Sequence, residues 1–174
     1  MVQKVLVVDA TTSLASELTP NTTSAGVGDA GKLVALNASG VLDSTLLPPG
    51  LGVTTKVFPA TEALAAGALV NIFSSSGTPS VRNANGTNAT KPAHAIVLSA
   101  VTSGANATVY YGPALVTGLS GLTIGATHYL GTTAGTITAT APSATGNLMQ
   151  PVGIADSTTE LAFEVTPNGG VIRG

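Results

Sequence analysis

The run best placed to do chemistry is Gly26-Val27-Gly28-Asp29-Ala30-Gly31-Lys32-Leu33. It follows the phosphate-binding pattern G-x-x-x-x-G-K-[ST] until its last position, where Leu33 removes the hydroxyl that would hold magnesium. Such a loop works between a buried strand and a helix whose first amides hold the phosphates. Here Thr19-Pro20-Asn21-Thr22-Thr23-Ser24 precedes it, and an alternating run broken by Gly40 follows. Asp29 would also face the phosphates. The run reads as a flexible Gly-rich connector. Glu160 and Glu164 lie four residues apart in a predicted strand. That spacing sets their Cα atoms roughly 13 Å apart, beyond the ~5–9.5 Å of glycosidase carboxylate pairs. Asp156 can approach either through a turn, but all three read as solvated strand ends. His94 and His128 lack a third ligand and make a poor zinc site; both read as polar strand residues. Gly118-Leu119-Ser120-Gly121 falls one residue short of a nucleophile elbow. The absence of cysteine removes thiol catalysis, disulfides and Cys-ligated metals. With no catalytic constellation left, the expectation is a protein that is not an enzyme and carries no cofactor.

Five N-x-[ST] sequons occur, at Asn21, Asn37, Asn85, Asn88 and Asn106. A chain rich in Asn, Thr and Ser produces them by composition, and no secretory signal is evident.

Composition narrows the classes further. The 174 residues are 44% hydrophobic but only 8% charged, against about 25% charged in average soluble proteins. Mean hydropathy is +0.43, which argues against disorder. With six Lys and Arg in total, there is little from which to build a nucleic-acid surface. The longest apolar run, Ala63–Phe73, is interrupted by Gly67 and Asn71 and falls short of the ~20 residues of a membrane span. Neither nucleic acid nor membrane is an expected partner.

The chain then divides by texture. Residues 1–52 read as an extended N-terminal arm and linker ending in Pro48-Pro49-Gly50-Leu51-Gly52. Thr11–Ala30 holds no apolar period. Lys32–Leu36 and Val41–Leu42 flank Asn37-Ala38-Ser39-Gly40 and read as a small hairpin. Residues 53–174 read as a β-rich domain. Predicted strands are Thr55–Phe58, Ala68–Phe73, Pro79–Asn83, His94–Val101, Thr108–Tyr111, Ala114–Thr117, His128–Leu130, Thr136–Thr140, Val152–Ala155 and Leu161–Val165. Turn clusters separate them, so the fold class is all-β, a compact β-barrel or β-sandwich domain. A single helical turn is expected at Thr61–Ala66, capped by Thr61 and ended by Gly67. From Pro92 to Ala155 there is no Asp, Glu, Lys or Arg. Either Thr, Ser, Asn and backbone solvate that surface, or copies of the chain or another protein cover it.

Two stretches carry a resemblance. Gly28–Asp43, closed by Leu46-Leu47-Pro48, is similar to a segment of tailed-bacteriophage virion proteins. Gly121–Gly131, Gly135–Thr138 and Gln150–Leu161 resemble a β-rich module of phage fibre, head-fibre and capsid-decoration proteins. The resemblance implies a non-enzymatic virion structural protein. Its first reading is a capsid decoration protein, a homotrimer bound to the major capsid protein. It would be made in the bacterial cytoplasm and placed on the phage head surface. The alternative is a tail-fibre, collar or baseplate adaptor. Leu33, Leu36, Leu42 and Leu46 are the expected partner-binding anchors of the arm, with Gly40 setting the turn.

Overall fold

A computed structural model describes residues 4–8, 11–47, 54–166 and 169–174. The chain divides into two compact units, residues 1–52 and 53–174. The Pro48–Gly52 linker lies outside the described residues.

The first unit is built from β1 (Val5–Val8) and β2 (Ala15–Leu18), followed by short 3-10 turns at Val27–Asp29 and Ser44–Leu46. The two strands pair antiparallel from Val5 opposite Leu18 to Val8 opposite Ala15. Lys4 Nζ reaches Glu17 Oε2 at 2.6 Å. The extended reading of Thr11–Ala30 thus includes a paired strand, Ala15–Leu18, that the missing apolar period did not announce. The small hairpin around Asn37–Gly40 is corrected. Val34 instead makes a parallel bridge with Asn21, in which the Leu33 carbonyl and the Ala35 N–H bond to Asn21, while Val41 bonds to Asn37 across the turn without extending it into a ladder.

The second unit is all-β. Its strands are β3 (Thr55–Pro59), β4 (Leu69–Ser75), β5 (Thr78–Asn83), β6 (Ala95–Val97), β7 (Asn106–Tyr110), β8 (Ala114–Val116), β9 (Thr127–Leu130), β10 (Ile137–Thr138), β11 (Leu148–Met149), β12 (Pro151–Ala155), β13 (Leu161–Phe163) and β14 (Val171–Ile172). They form one five-stranded sheet of order β3-β7-β6-β4-β5, another of order β10-β9-β12-β13-β8, and the short ladder β11-β14. All strand pairs in these sheets are antiparallel.

Alternation along the first sheet separates two cores. Leu69 and Ile96 join Leu130, Val152, Leu161 and Phe163 of the second sheet in one cluster. Their chain neighbours Val70, Ala95 and Val97 belong to the other cluster, with Phe58, Val81, Ala107 and Val109. The first sheet curls around this second cluster. A single parallel bridge joins Ala60 to Val81, and the Thr61 N–H donates to the Val81 carbonyl at 2.9 Å. These contacts link the two ends of the strand order. Burying each such Val or Leu side chain contributes about 1.5–3 kcal/mol before entropy is counted.

The helical turn at Thr61–Ala66 is absent. Thr61 Oγ1 donates to the Val81 carbonyl at 3.3 Å rather than capping, and Leu64 pairs with Val101. Partners from distant segments of the same chain satisfy the backbone groups that a helical turn would have used. Gly67 still turns the chain, at φ +76°.

Candidate partner-binding surfaces

In the first unit, short polar side chains hold the backbone. Asn37 Oδ1 accepts the N–H groups of Ser39 and Val41 at 2.9 and 3.2 Å. The Asn37 N–H donates to the Val41 carbonyl at 2.9 Å. Gly40 closes the turn at φ +73°, where a Cβ would be strained. Asp43 Oδ1 accepts from the Thr45 N–H at 3.0 Å and from Thr45 Oγ1 at 2.7 Å. Thr45 Oγ1 in turn accepts the Ser24 N–H at 2.9 Å. Such local bonds are what Asn, Asp, Ser and Thr offer in place of regular structure.

No described residue of the first unit is buried. Leu33, Leu36 and Leu42 are 44%, 55% and 46% exposed, and Leu46 is half-buried in its 3-10 turn. The side chains expected to anchor a partner therefore stand on a polar-stapled frame with their apolar surface in water.

The glycine-rich run does not take a phosphate-loop form. Val27–Asp29 is a 3-10 turn, not the start of an α-helix. The Lys32 ammonium lies 2.7 Å from Asp29 Oδ1, and the Ala25 N–H donates to Asp29 Oδ2 at 2.6 Å. The carboxylate holds the cation and amide that a phosphate would need. The Lys32 hydrogen bond, with the Ala25 amide second, lowers the Asp29 pKa to about 2.

In the second unit the two histidines are separately engaged. His128 is 1% exposed and points into the interior from β9. Its Nδ1 donates to the Ala126 carbonyl at 3.0 Å, and its Nε2 accepts the Thr123 N–H at 3.3 Å. Those partners select the Nδ1–H tautomer. His94 Nδ1 accepts the Ile72 N–H at 3.0 Å, and burial pushes its pKa below the usual imidazole value. Both rings serve as backbone connectors. Among the described residues, no three His, Asp or Glu side chains gather in a metal-binding group. Ser120 and Gly121 lie in the turns that follow β8, beside Gly118 at φ +79°.

The sequons have a local physical role. Asn85 Oδ1 accepts from the N–H and Oγ1 of Thr87, both at 2.8 Å. Asn88 does the same with Thr90, at 2.9 and 2.8 Å. The N-x-T spacing places a donor pair over the amide oxygen, which closes a turn.

Sequence reasoning missed a buried polar set beside the β4–β5 hairpin. Asn71 is 2% exposed; its Nδ2 donates to the Pro92 carbonyl at 2.9 Å and its Oδ1 accepts from Arg82 Nε at 2.9 Å. Arg82 also stacks 4.2 Å from the Phe73 ring centroid. A signal was present, since Asn71 shares its face of β4 with the apolar Leu69 and Phe73. Its partners lie too far along the chain to be read from it.

The chain matches no family model, and no curated protein or solved structure is significantly similar to it.

Proposed function

We propose that this chain is a non-enzymatic structural protein of a tailed-bacteriophage virion. In this reading it is a capsid decoration protein that binds the major capsid protein on the head surface as a homotrimer, after synthesis in the bacterial cytoplasm. The observation that carries the reading is the first unit. It has defined turns and no buried described residue, yet it displays Leu33, Leu36 and Leu42 to solvent. Apolar side chains on a coreless frame gain stability only when another surface covers them. The β domain supplies a hydrophobic body whose charge-free stretch from Pro92 to Ala155 suits packing against copies of itself.

The test is attachment to empty heads. Removing residues 1–47 is expected to leave a folded β domain that no longer binds capsids. Unchanged binding by the truncated protein would show that the arm is not the attachment device. Many copies per head support the decoration role. A handful confined to the tail would favour a tail-fibre, collar or baseplate adaptor. A stable monomer in light scattering at micromolar concentration would remove the trimer.

A further inference from the structure

We propose that the outward face of the second sheet docks a protein partner presenting apolar side chains flanked by lysine or arginine. The strand register builds this face. Ile154 of β12 stands opposite Thr127 of β9 and Ala162 of β13, and Ala162 stands opposite Leu115 of β8. Four side chains thus form one row across four strands. Their neighbours Ala155, Leu161, Phe163 and Val116 are buried in the core on the opposite side. Leu115 is 58% exposed and Ile154 50%.

Acidic residues bracket this row along the strands. Asp156 lies two residues beyond Ile154, and Glu160 and Glu164 lie two residues to either side of Ala162. The period of two puts them on the same face. The Asp156 N–H donates to the Glu160 carbonyl at 3.0 Å, so the hairpin end carries two carboxylates, one just after β12 and one just before β13. Leu115, Asp156, Ala162 and Glu164 line one shallow depression, and Ile154, Ala162 and Glu164 line the one beside it.

Charge decides the occupant. Among the described residues, ion pairs join Lys4 to Glu17 and Lys32 to Asp29, and none involves Asp156, Glu160 or Glu164. Three carboxylates without an ion-pair partner around an apolar row complement a cationic partner. A second copy of the same face would bring another acidic rim against the first, which disfavours it, so the self-packing proposed above would use other surface of the β domain. An apolar centre with a polar rim is the anatomy of a protein interface. The inference rests on the adhesive role proposed above and names the chemistry of one partner surface, separate from the arm leucines.

The test uses the full-length chain, isotopically labelled, and two short peptides sharing a Val-Leu-Val centre. One peptide is flanked by lysines and the other by glutamates. The lysine peptide is expected to shift the amide resonances of residues 114–116, 153–156 and 160–164. Its affinity should fall roughly tenfold as salt rises from about 0.05 to about 0.5 M. The glutamate peptide should leave these amides unchanged. The triple variant Asp156→Asn, Glu160→Gln, Glu164→Gln should keep the wild-type circular dichroism spectrum and lose the response. Equal response to both peptides, shifts confined elsewhere, or no response to the lysine peptide at millimolar concentration would overturn the proposal. Concentration-dependent shifts of the same amides without peptide would overturn it too, by making the occupant a second copy. Head binding is scored in a separate assay, so failure of the virion reading is distinguishable from failure of this one.

Discussion

Gln150 clasps the backbone of Ala93. Its Oε1 accepts the Ala93 N–H at 2.8 Å, and its Nε2 donates to the Ala93 carbonyl at 2.9 Å. Gln150 lies between β11 and β12, and Ala93 lies just before β6 of the other five-stranded sheet. Both residues are buried. The side chain therefore acts as a short piece of β-ladder across the core, joining segments that strand pairing does not connect.

Replacing Gln150 by Leu keeps the bulk and removes both partners. The Ala93 N–H and carbonyl would be left unpaired in the interior, each costing ~1–3 kcal/mol. The expected loss of stability is about 2–5 kcal/mol, read as a lower urea midpoint at unchanged slope. A midpoint equal to that of the wild type would show that water or another group satisfies Ala93.

Much of the β domain was legible in the sequence because its turns are chemically marked. All ten predicted strand sites contain a strand, since Gly, Asn and Ser clusters delimit short apolar runs such as Leu69–Ser75 and Leu161–Phe163. What was missed depends on distant pairing. Leu148–Met149 and Val171–Ile172 make a two-residue ladder across a long sequence gap, and neither run alternates long enough to signal a strand. Ala15–Leu18 has a half-buried Leu18 and otherwise exposed residues, so no hydrophobic period betrays it. Gln150 and His128 were invisible as core residues because pattern reading assigns polar side chains to the solvent. Their burial follows only from partners that tertiary structure brings to them. The arm leucines were legible as apolar positions, whereas their polar staples depend on side chains returning to nearby backbone.

His94 should make stability depend on pH. Its Nδ1 accepts the Ile72 N–H, so the folded state favours the neutral ring, and burial lowers its pKa from the ordinary 6.5. Between the folded and unfolded values, the unfolded chain binds more protons. The stabilising contribution is therefore present above about pH 6.5 and is lost as pH falls toward the folded pKa. Thermal melts from pH 7.5 to 5 should fall more steeply for the wild type than for His94→Asn, whose amide oxygen can still accept the Ile72 N–H. Parallel curves would show that His94 does not contribute.

Gly153 sits where β12 shifts register between Pro151 and Gly153. Its φ is +150°, and an added Cβ would overlap the Ala162 carbonyl oxygen. Flexible side-chain movement cannot relieve that overlap, because the obstacle is the backbone of the paired strand β13. Gly153→Ala should cost about 2–5 kcal/mol, combining backbone strain with overpacking. Amide exchange should quicken first in β12 and β13. A denaturation midpoint within error of the wild type would mean that the bulge can relax.

Asp29 and Lys32 give a test of the arm that does not need a partner. The hydrogen bond from Lys32, followed by that from the Ala25 N–H, lowers the carboxyl pKa from 3.8 to about 2. A depressed carboxylate stabilises the fold above its unfolded pKa, and the contribution is lost as pH falls through the folded value. The turn should therefore hold at neutral pH and loosen between about pH 4 and 2. A carbon-detected titration of the Asp29 carboxyl should show a midpoint near 2 in the wild type, moving toward 3.8 in Lys32→Met. Inorganic phosphate at neutral pH should not shift the amides of residues 26–33, because Asp29 already holds the lysine and the Ala25 N–H. A wild-type midpoint near 3.8 would mean that the Lys32–Asp29 contact does not form in solution. A phosphate-dependent shift would mean that the run binds anions despite its carboxylate.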